Sequence, residues 1–164
     1  MNQEIPHIRA YRDSDKDSCM EMFKTNVPKY FTPEEVDEYE RFLTKLSNRE
    51  ATDNPPYYVM ELEKTLIGCG GFGEKNGIDG TASITFVWGM IHRDYHKQRF
   101  GEQLLRFRLA EIPVHFPNKP IILDTTQFSH TFFEKYGFRT VKLTENGYGK
   151  GMHRYDMVLE TLRL

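Results

Sequence analysis

The sequence predicts a single α/β domain. Apolar residues follow strand spacing and helix spacing in turn along the 164 residues. One helix carries two independent start signals. The longest apolar run passes through a polar loop into an amphipathic helix, as a crossover connection does. The order is strand, two helices, three strands, helix, strand, helix, two strands. No repeat, linker or low-complexity tract interrupts it, and the length suits one core, so residues 1–164 are expected to form one domain.

Ile5 to Tyr11 is a short extended segment. Asp13-Ser14-Asp15 supplies caps for a helix over Lys16 to Thr25, whose apolar face is Cys19, Met22 and Phe23; Asn26-Val27-Pro28 ends it. Thr32-Pro33-Glu34-Glu35 satisfies two start rules at once, with Thr32 at the cap, Pro33 at the first helical position and Glu35 three residues after the cap. The helix predicted there runs from Pro33 to Ser47 with Val36, Tyr39, Phe42, Leu43 and Leu46 inward, and a polar loop follows over Arg49 to Pro56. Tyr57 to Leu62 and Leu66 to Phe72 form a hairpin around Glu63-Lys64-Thr65. Gly68, Gly70 and Gly71 mark either a bulge or twist in the second strand, or the close approach of another group.

A polar turn from Gly73 to Gly80 leads to the strongest strand, Thr81 to Ile91, which is apolar enough at its end for burial on both faces. His92 to Gln98 connects it to a helix over Arg99 to Ile112, where Glu102 and Arg106 are spaced for an i,i+4 ion pair. Pro113 to Pro120 breaks that pattern. Ile121 to Asp124 is a short strand, and Thr125 or Thr126 caps a helix ending near Tyr136, with Gly137 at its C-terminal cap. Phe138 to Leu143 and Tyr155 to Leu159 close the chain as a hairpin around a loop at Asn146 to Gly151.

Composition removes several functions. A formal net charge of -2 lacks the bulk basic field of a nucleic-acid binder. No apolar run approaches the roughly 20 residues of a membrane span. Two cysteines, Cys19 and Cys69, make neither a disulfide framework nor a metal site, and the six His residues lack compact ligand spacing with cysteine or carboxylate. Met1 to Ala10 lacks the pattern of a secretory signal. A cytoplasmic protein with buried, reduced thiols is the expectation, with neither nucleic acid nor membrane as partner.

Chemistry concentrates in two stretches. From Met90 and Ile91 an apolar strand enters a tight loop, His92-Arg93-Asp94-Tyr95-His96-Lys97-Gln98, and the loop opens a helix at Arg99-Phe100-Gly101-Glu102. The first turn of a helix carries bare N–H groups that hold a pyrophosphate without charged side chains. Gly101 permits close approach, and His96, Lys97 and Arg99 add hydrogen-bonding or positive character. Read alone, the stretch is equally a plain connection with a solvated basic loop. The second stretch is Phe132-Phe133-Glu134-Lys135-Tyr136-Gly137-Phe138. Phe132 and Tyr136 share a helix face, either as core or as one wall of a narrow slot.

Together these stretches resemble the GNAT superfamily of N-acetyltransferases. Members carry a motif like Val-x-Pro-x-Tyr-Arg-x-x-Gly-x-Gly followed by Leu-Leu, matched here by Ile91 to Gly101 and then Leu104-Leu105. The later Phe-Tyr-x-x-x-Gly-Phe signature is matched from Phe132 to Phe138. The resemblance covers nearly the whole chain in element order. It implies a mixed, largely antiparallel central sheet with helices on both faces. It also implies acetyl-CoA as acyl donor, held by Met90, Ile91, His96 to Glu102, Phe132 and Phe133. Three departures stand out. His96 takes the place of the Gln or Arg that opens the phosphate motif, Arg93 replaces the proline, and Arg99 replaces the middle glycine. Arg99 is expected to keep its N–H on the phosphate if its φ stays helical.

The resemblance also implies that the strands at Thr81 to Ile91 and Ile121 to Asp124 splay apart around the pantetheine. A backbone N–H near Trp88 to Met90 would then face the thioester carbonyl. Phe133 stands where many relatives have the tyrosine that protonates the leaving thiolate, so Tyr136, one helical turn away, is the candidate acid. Glu74, Asp79, Asp124 and His130 are candidate bases, Asp124 first. Asn26 to Thr32, with Tyr30 and Phe31, forms the expected acceptor wall. Glu34, Glu35, Asp37 and Glu38 either attract a cationic acceptor or complement the helix dipole. The function expected is acetyl transfer to a primary amine of a small molecule or protein. The alternative is a non-catalytic acyl-CoA-binding regulator or scaffold. Aromatic edges at Tyr148 or Tyr155 suit a homodimer.

Overall fold

The structure, a computed structural model, describes residues 4–48 and 54–160; part of the loop expected at Arg49 to Pro56 lies outside the described residues. Among the described residues seven strands and four α-helices follow in chain order: β1 (His7–Ala10), α1 (Lys16–Thr25), α2 (Glu35–Leu46), β2 (Tyr57–Leu62), β3 (Thr65–Asn76), β4 (Ala82–Ile91), α3 (Phe100–His115), β5 (Ile121–Thr125), α4 (His130–Glu134), β6 (Arg139–Gly149) and β7 (Met152–Leu159). The strand order is β1-β2-β3-β4-β5-β7-β6, with β4–β5 parallel and the described ladders β1–β2, β2–β3, β5–β7 and β6–β7 antiparallel. This is the mixed, largely antiparallel sheet that the sequence led to expect. The chain contains two compact units, Met1–Phe72 with Val87–Glu111, and Gly73–Phe86 with Ile112–Leu164.

In the first unit, strand alternation sorts side chains to two covered faces. Val59 and Cys69 face α1 and α2, joining Cys19, Met22, Phe23, Tyr39 and Leu43 in one buried cluster. Met60 and Ile67 face the other way and meet Leu104 of α3. Aromatic stacking dominates the first face, with Phe23 4.7 Å from Tyr39 and 4.4 Å from Phe31 between ring centroids. Glu63 and Lys64 turn the β2–β3 hairpin at φ 49° and 68°, the left-handed pair a two-residue hairpin turn requires. Arg9 binds the Asp15 carboxylate through two nitrogens, each at 2.8 Å, and Glu61 at 2.6 Å, tying β1 and β2 to the start of α1.

In the second unit, Ile84 and Thr85 of β4 are in register with Ile121 and Ile122 of β5. Ile84, Ile112, Ile121, Phe138 and Met157 are buried there, and β6 is an exposed edge strand.

Several boundaries differ from the sequence expectation. α4 is capped neither by Thr125, which stays in β5, nor by Thr126, whose carbonyl accepts from the Ser129 N–H at 3.2 Å to close a turn; the helix starts at His130 and ends at Glu134 with Lys135, not Gly137, at its C-terminal cap. α2 begins at Glu35 because Thr32 to Glu35 first close a turn (Glu35 N–H to Thr32 O, 3.1 Å), while the Glu35 carboxylate reaches back to the Thr32 N–H at 3.1 Å. α3 runs through Pro113, whose missing N–H costs one bond in the last turn while Phe116 still donates to Ile112 at 2.8 Å. β3 continues to Asn76, so the expected Gly73–Gly80 turn contracts to residues beyond it. The closing hairpin also runs further than expected, because Asn146 takes φ 54° at an irregularity in the β6–β7 ladder rather than ending the strand. Among the described residues, no helix is long and apolar enough to cross a membrane.

Candidate functional site

The first unit gathers its chemistry where β4 enters α3. The Ile91 carbonyl sits 3.0 Å from the donating Asn26 Nδ2 and 2.7 Å from His96 Nε2. Arg93 donates its N–H to Thr25 Oγ1 at 3.2 Å, and Asp94 donates to His92 Nδ1 at 3.1 Å. The entrance of the short 3-10 turn, Arg93–Tyr95, is therefore anchored to the C-terminus of α1, while His96, just past the turn, folds back onto Ile91. Asn26 is only 2% exposed. The sequence marked it as a helix terminator; its grip on Ile91 depends on a contact that no local pattern announces.

Beyond this anchor the backbone turns left-handed twice, at Lys97 (φ 62°) and Arg99 (φ 67°). Arg99 therefore departs from the helical φ expected for it. It takes a conformation that glycine adopts freely and L side chains resist, which is why glycine suits that place in the family motif. Alternating left-handed residues turn successive N–H groups toward a common concavity, an arrangement suited to anions. α3 follows, its first turn closed by the bond from the Gln103 N–H to the Arg99 carbonyl at 3.2 Å, and the amides ahead of Gln103 have no carbonyl within the helix to bind.

A cavity of about 400 Å³ opens at this loop. Of the residues the sequence offered for the coenzyme, Met90, Ile91, His96, Lys97, Arg99, Phe100 and Gly101 line it, together with Asn26, Tyr30, Phe31, Gly89 and Tyr95. Its lining contains two permanent cations, Lys97 and Arg99, and no acidic residue. Tyr30 lies edge-on to the His96 ring at 5.3 Å. A Cβ added at Gly101 would meet only Ile91 Cγ1, at 3.8 Å, so packing does not demand glycine there. The same residues fit a phosphate-bearing ligand: bare amides, two cations, an unhindered glycine and apolar walls. Gln98 and Glu102 do not line the cavity. Gln98 approaches the Asp94 carbonyl at 3.5 Å, and Glu102 pairs with Arg106 at 3.0 Å.

The glycines of β3 are explained by close approach. Arg108 of α3 is 8% exposed, and its guanidinium would lie 3.3 Å from a Cβ at Gly70 and 2.9 Å from one at Gly89. It approaches the Gly71 carbonyl at 3.4 Å, and burial lowers its pKa to about 10. A Cβ at Gly71 would collide with the Pro56 carbonyl, and one at Gly68 would come within 2.7 Å of Ile91 Cδ1. A buried arginine on an otherwise apolar helix face carries no sequence signal beyond the paired small residues that face it.

The remaining candidates belong to the second unit. Phe132 meets Phe133 edge-to-face at 5.3 Å and Tyr136 at 5.4 Å, and Phe133 meets Phe138 at 5.9 Å. Tyr136 is half-buried just past α4. The Asp124 carboxylate accepts a hydrogen bond from the Tyr148 hydroxyl and lies 3.7 Å from Arg154. The other candidate bases also have structural roles. Glu74 pairs with Lys119 at 2.8 Å, and Asp79 accepts from the Thr81 N–H at 2.9 Å. His130 stacks on Tyr155 at 4.1 Å and contacts Glu134 at 3.2 Å. Among the described residues, no three His, Cys, Asp or Glu side chains gather as a metal cage requires.

The acetyltransferase (GNAT) domain family matches residues 27–161. No curated protein matches the chain. Among solved structures, an N-acetyltransferase from Staphylococcus aureus Mu50 is similar with a TM-score of 0.74 at 14% identity, over 95% of this chain and 98% of that one. A ribosomal-protein-alanine N-acetyltransferase from Brucella melitensis gives 0.74 at 15%, over 94% and 99%. An aminoglycoside 6'-N-acetyltransferase complexed with coenzyme A gives 0.67 at 17%, over 96% and 98%. At such identities the likeness to these structures is one of fold. The domain match is broader in meaning: it spans most of the sequence and includes the loop whose geometry suits an anion, and the chain belongs to the GNAT acetyltransferase family.

Proposed function

We propose that this protein binds acetyl-CoA at the β4–α3 junction and transfers its acetyl group to a primary amine. One observation carries the reading: an acid-free cavity at a helix N-terminus, with Lys97 and Arg99 both left-handed on its rim. In this reading the first-turn amides of α3 bind the pyrophosphate, Gly101 lets it come close, and Lys97 and Arg99 balance its charge. The acyl-bearing arm runs along Gly89 to Ile91, with Phe31 as an apolar wall. Transfer forms a bond from the amine nitrogen to the acetyl carbon and breaks the carbon–sulfur bond. One proton leaves the amine and one reaches the departing thiolate. Asp124 is our proposed base and Tyr136 our proposed acid, and positioning supplies much of the remaining rate.

Calorimetric titration with acetyl-CoA, followed by thiol release against a panel of small amines and peptide N-termini, tests this reading. Binding with turnover is expected; no binding at millimolar coenzyme rejects the site. A second reading, a non-catalytic acyl-CoA sensor, is favoured by one observation. Phe133 has no hydroxyl where many relatives have a tyrosine. Binding with no thiol release across the whole panel selects the sensor.

A further inference from the structure

Within β4, Trp88 sits at φ 41°, a conformation that a bulky side chain rarely adopts. Two features hold it there. Its indole packs against Phe23, Phe31, Tyr39 and Phe42, with centroid distances from 5.4 to 6.5 Å. Its carbonyl accepts a hydrogen bond from the Tyr57 hydroxyl at 2.8 Å. Tyr57 is 5% exposed, and its hydroxyl is also 3.0 Å from that of Tyr39 and 3.3 Å from Cys69 Sγ. Burial holds the Tyr57 hydroxyl well above the ordinary tyrosine pKa, so it remains a donor throughout the neutral range.

A trans, planar peptide points its C=O and its N–H in opposite directions. The bond from Tyr57 to the Trp88 carbonyl therefore directs the Gly89 N–H away from the Tyr57 hydroxyl. Gly89 is exposed and lines the cavity, and the Arg108 guanidinium packs against it so closely that a Cβ there would come within 2.9 Å of it. We propose that Tyr57 is a positioning residue for acetyl transfer: by holding the Trp88 carbonyl, it presents the Gly89 N–H to the thioester carbonyl oxygen. This rests on the acetyl-CoA reading above. Tyr57 touches neither donor nor acceptor; it acts through one peptide plane. The amide it orients stabilises the oxygen as negative charge develops on it.

The test is isotope-edited infrared spectroscopy of carbonyl-13C-labelled acetyl-CoA bound to the whole chain. In the parent protein the thioester stretch should move to lower frequency on binding, and in Tyr57→Phe most of that shift should be lost. The same variant should show kcat lower by about tenfold, with KM for acetyl-CoA changed less than about twofold. A loss of structure alone would not spare KM while abolishing the carbonyl shift. A second measurement needs no variant. The Gly89 amide proton of the parent protein should move downfield on binding acetyl-CoA and not on binding CoA, which lacks the carbonyl. Failure of the parent protein to bind acetyl-CoA overturns the function itself. Binding with an equal carbonyl shift in Tyr57→Phe, or a Gly89 amide indifferent to the acetyl group, overturns the role of Tyr57 and leaves the function standing.

Discussion

Gly101→Ala separates a ligand's demand for glycine from the fold's. Gly101 is the second residue of α3 and is absent from the positions with positive φ, so alanine meets no backbone penalty. The added methyl group would touch Ile91 Cγ1 at 3.8 Å, an ordinary van der Waals distance. Replacing a helical glycine by alanine gains up to about 1 kcal/mol in a helix interior and less in a first turn. A gain of about 0.5 kcal/mol raises Tm by roughly 1–2 °C in a domain of this size. The coenzyme experiences the opposite. A methyl group at the start of α3 pushes a phosphate away from the amides, and losing one charge-assisted hydrogen bond costs about 1.5–3 kcal/mol, or roughly 10- to 150-fold in Kd. Thermal melting without ligand and calorimetric titration with acetyl-CoA read the two signs on one variant. An unchanged Kd removes the phosphate from this helix end, and a lowered Tm contradicts the space seen at Gly101.

Further variants test the rest of the loop and the core. Arg99→Gly removes a cation while relieving a left-handed side-chain residue worth about 1 kcal/mol, which offsets glycine's entropy, so stability should hold. Its coenzyme affinity should fall and depend less steeply on salt; an unaltered salt slope takes the guanidinium off the ligand. Tyr136→Phe should lower kcat by at least about tenfold with KM little changed, and a parental rate removes Tyr136 from the mechanism. At Asp15, burial pushes the carboxyl pKa up, but hydrogen bonds from Arg9 and the Arg12 N–H bring it below the ordinary value. A depressed native pKa gives stability that is complete above the unfolded carboxylate value of about 4 and drains as pH falls through the native one. Asp15→Asn should therefore cost about 2–3 kcal/mol at neutral pH, less than a fully broken buried pair because Arg9 keeps Glu61. It should also flatten the fall of Tm below about pH 4. A variant that melts in acid as the parent does would refute the link.

Much of this protein is decided by residues a few positions apart. Cys19, Met22 and Phe23, or Val36, Tyr39 and Leu43, declare a helix and its inward face because 3.6-residue spacing brings them to one side. Glu63 and Lys64 turn the chain between two apolar runs, and Gly137 closes the turn that follows α4 at φ 94°. The family motif from Ile91 to Gly101 was legible for the same reason: its residues are adjacent in the chain.

The cavity's finer features were not legible, because they arise between distant residues. Tyr57 reaches Trp88 across 31 positions, and Asn26 reaches Ile91 across 65. Arg108 looks like one more charged helix residue until packing places it over Gly70 and Gly89. Arg99 shows the division at a single position. Its identity was visible as a departure from the motif, while its left-handed φ depends on a loop already tied to Ile91 and Thr25. Sequence alone determined the order of the elements, the strand–loop–helix junction and the family, since covalent neighbours fix local periodicity and turn chemistry. Tertiary structure alone decided which way the amides and carbonyls at the cavity face, since a peptide plane takes its direction from the partner that captures it.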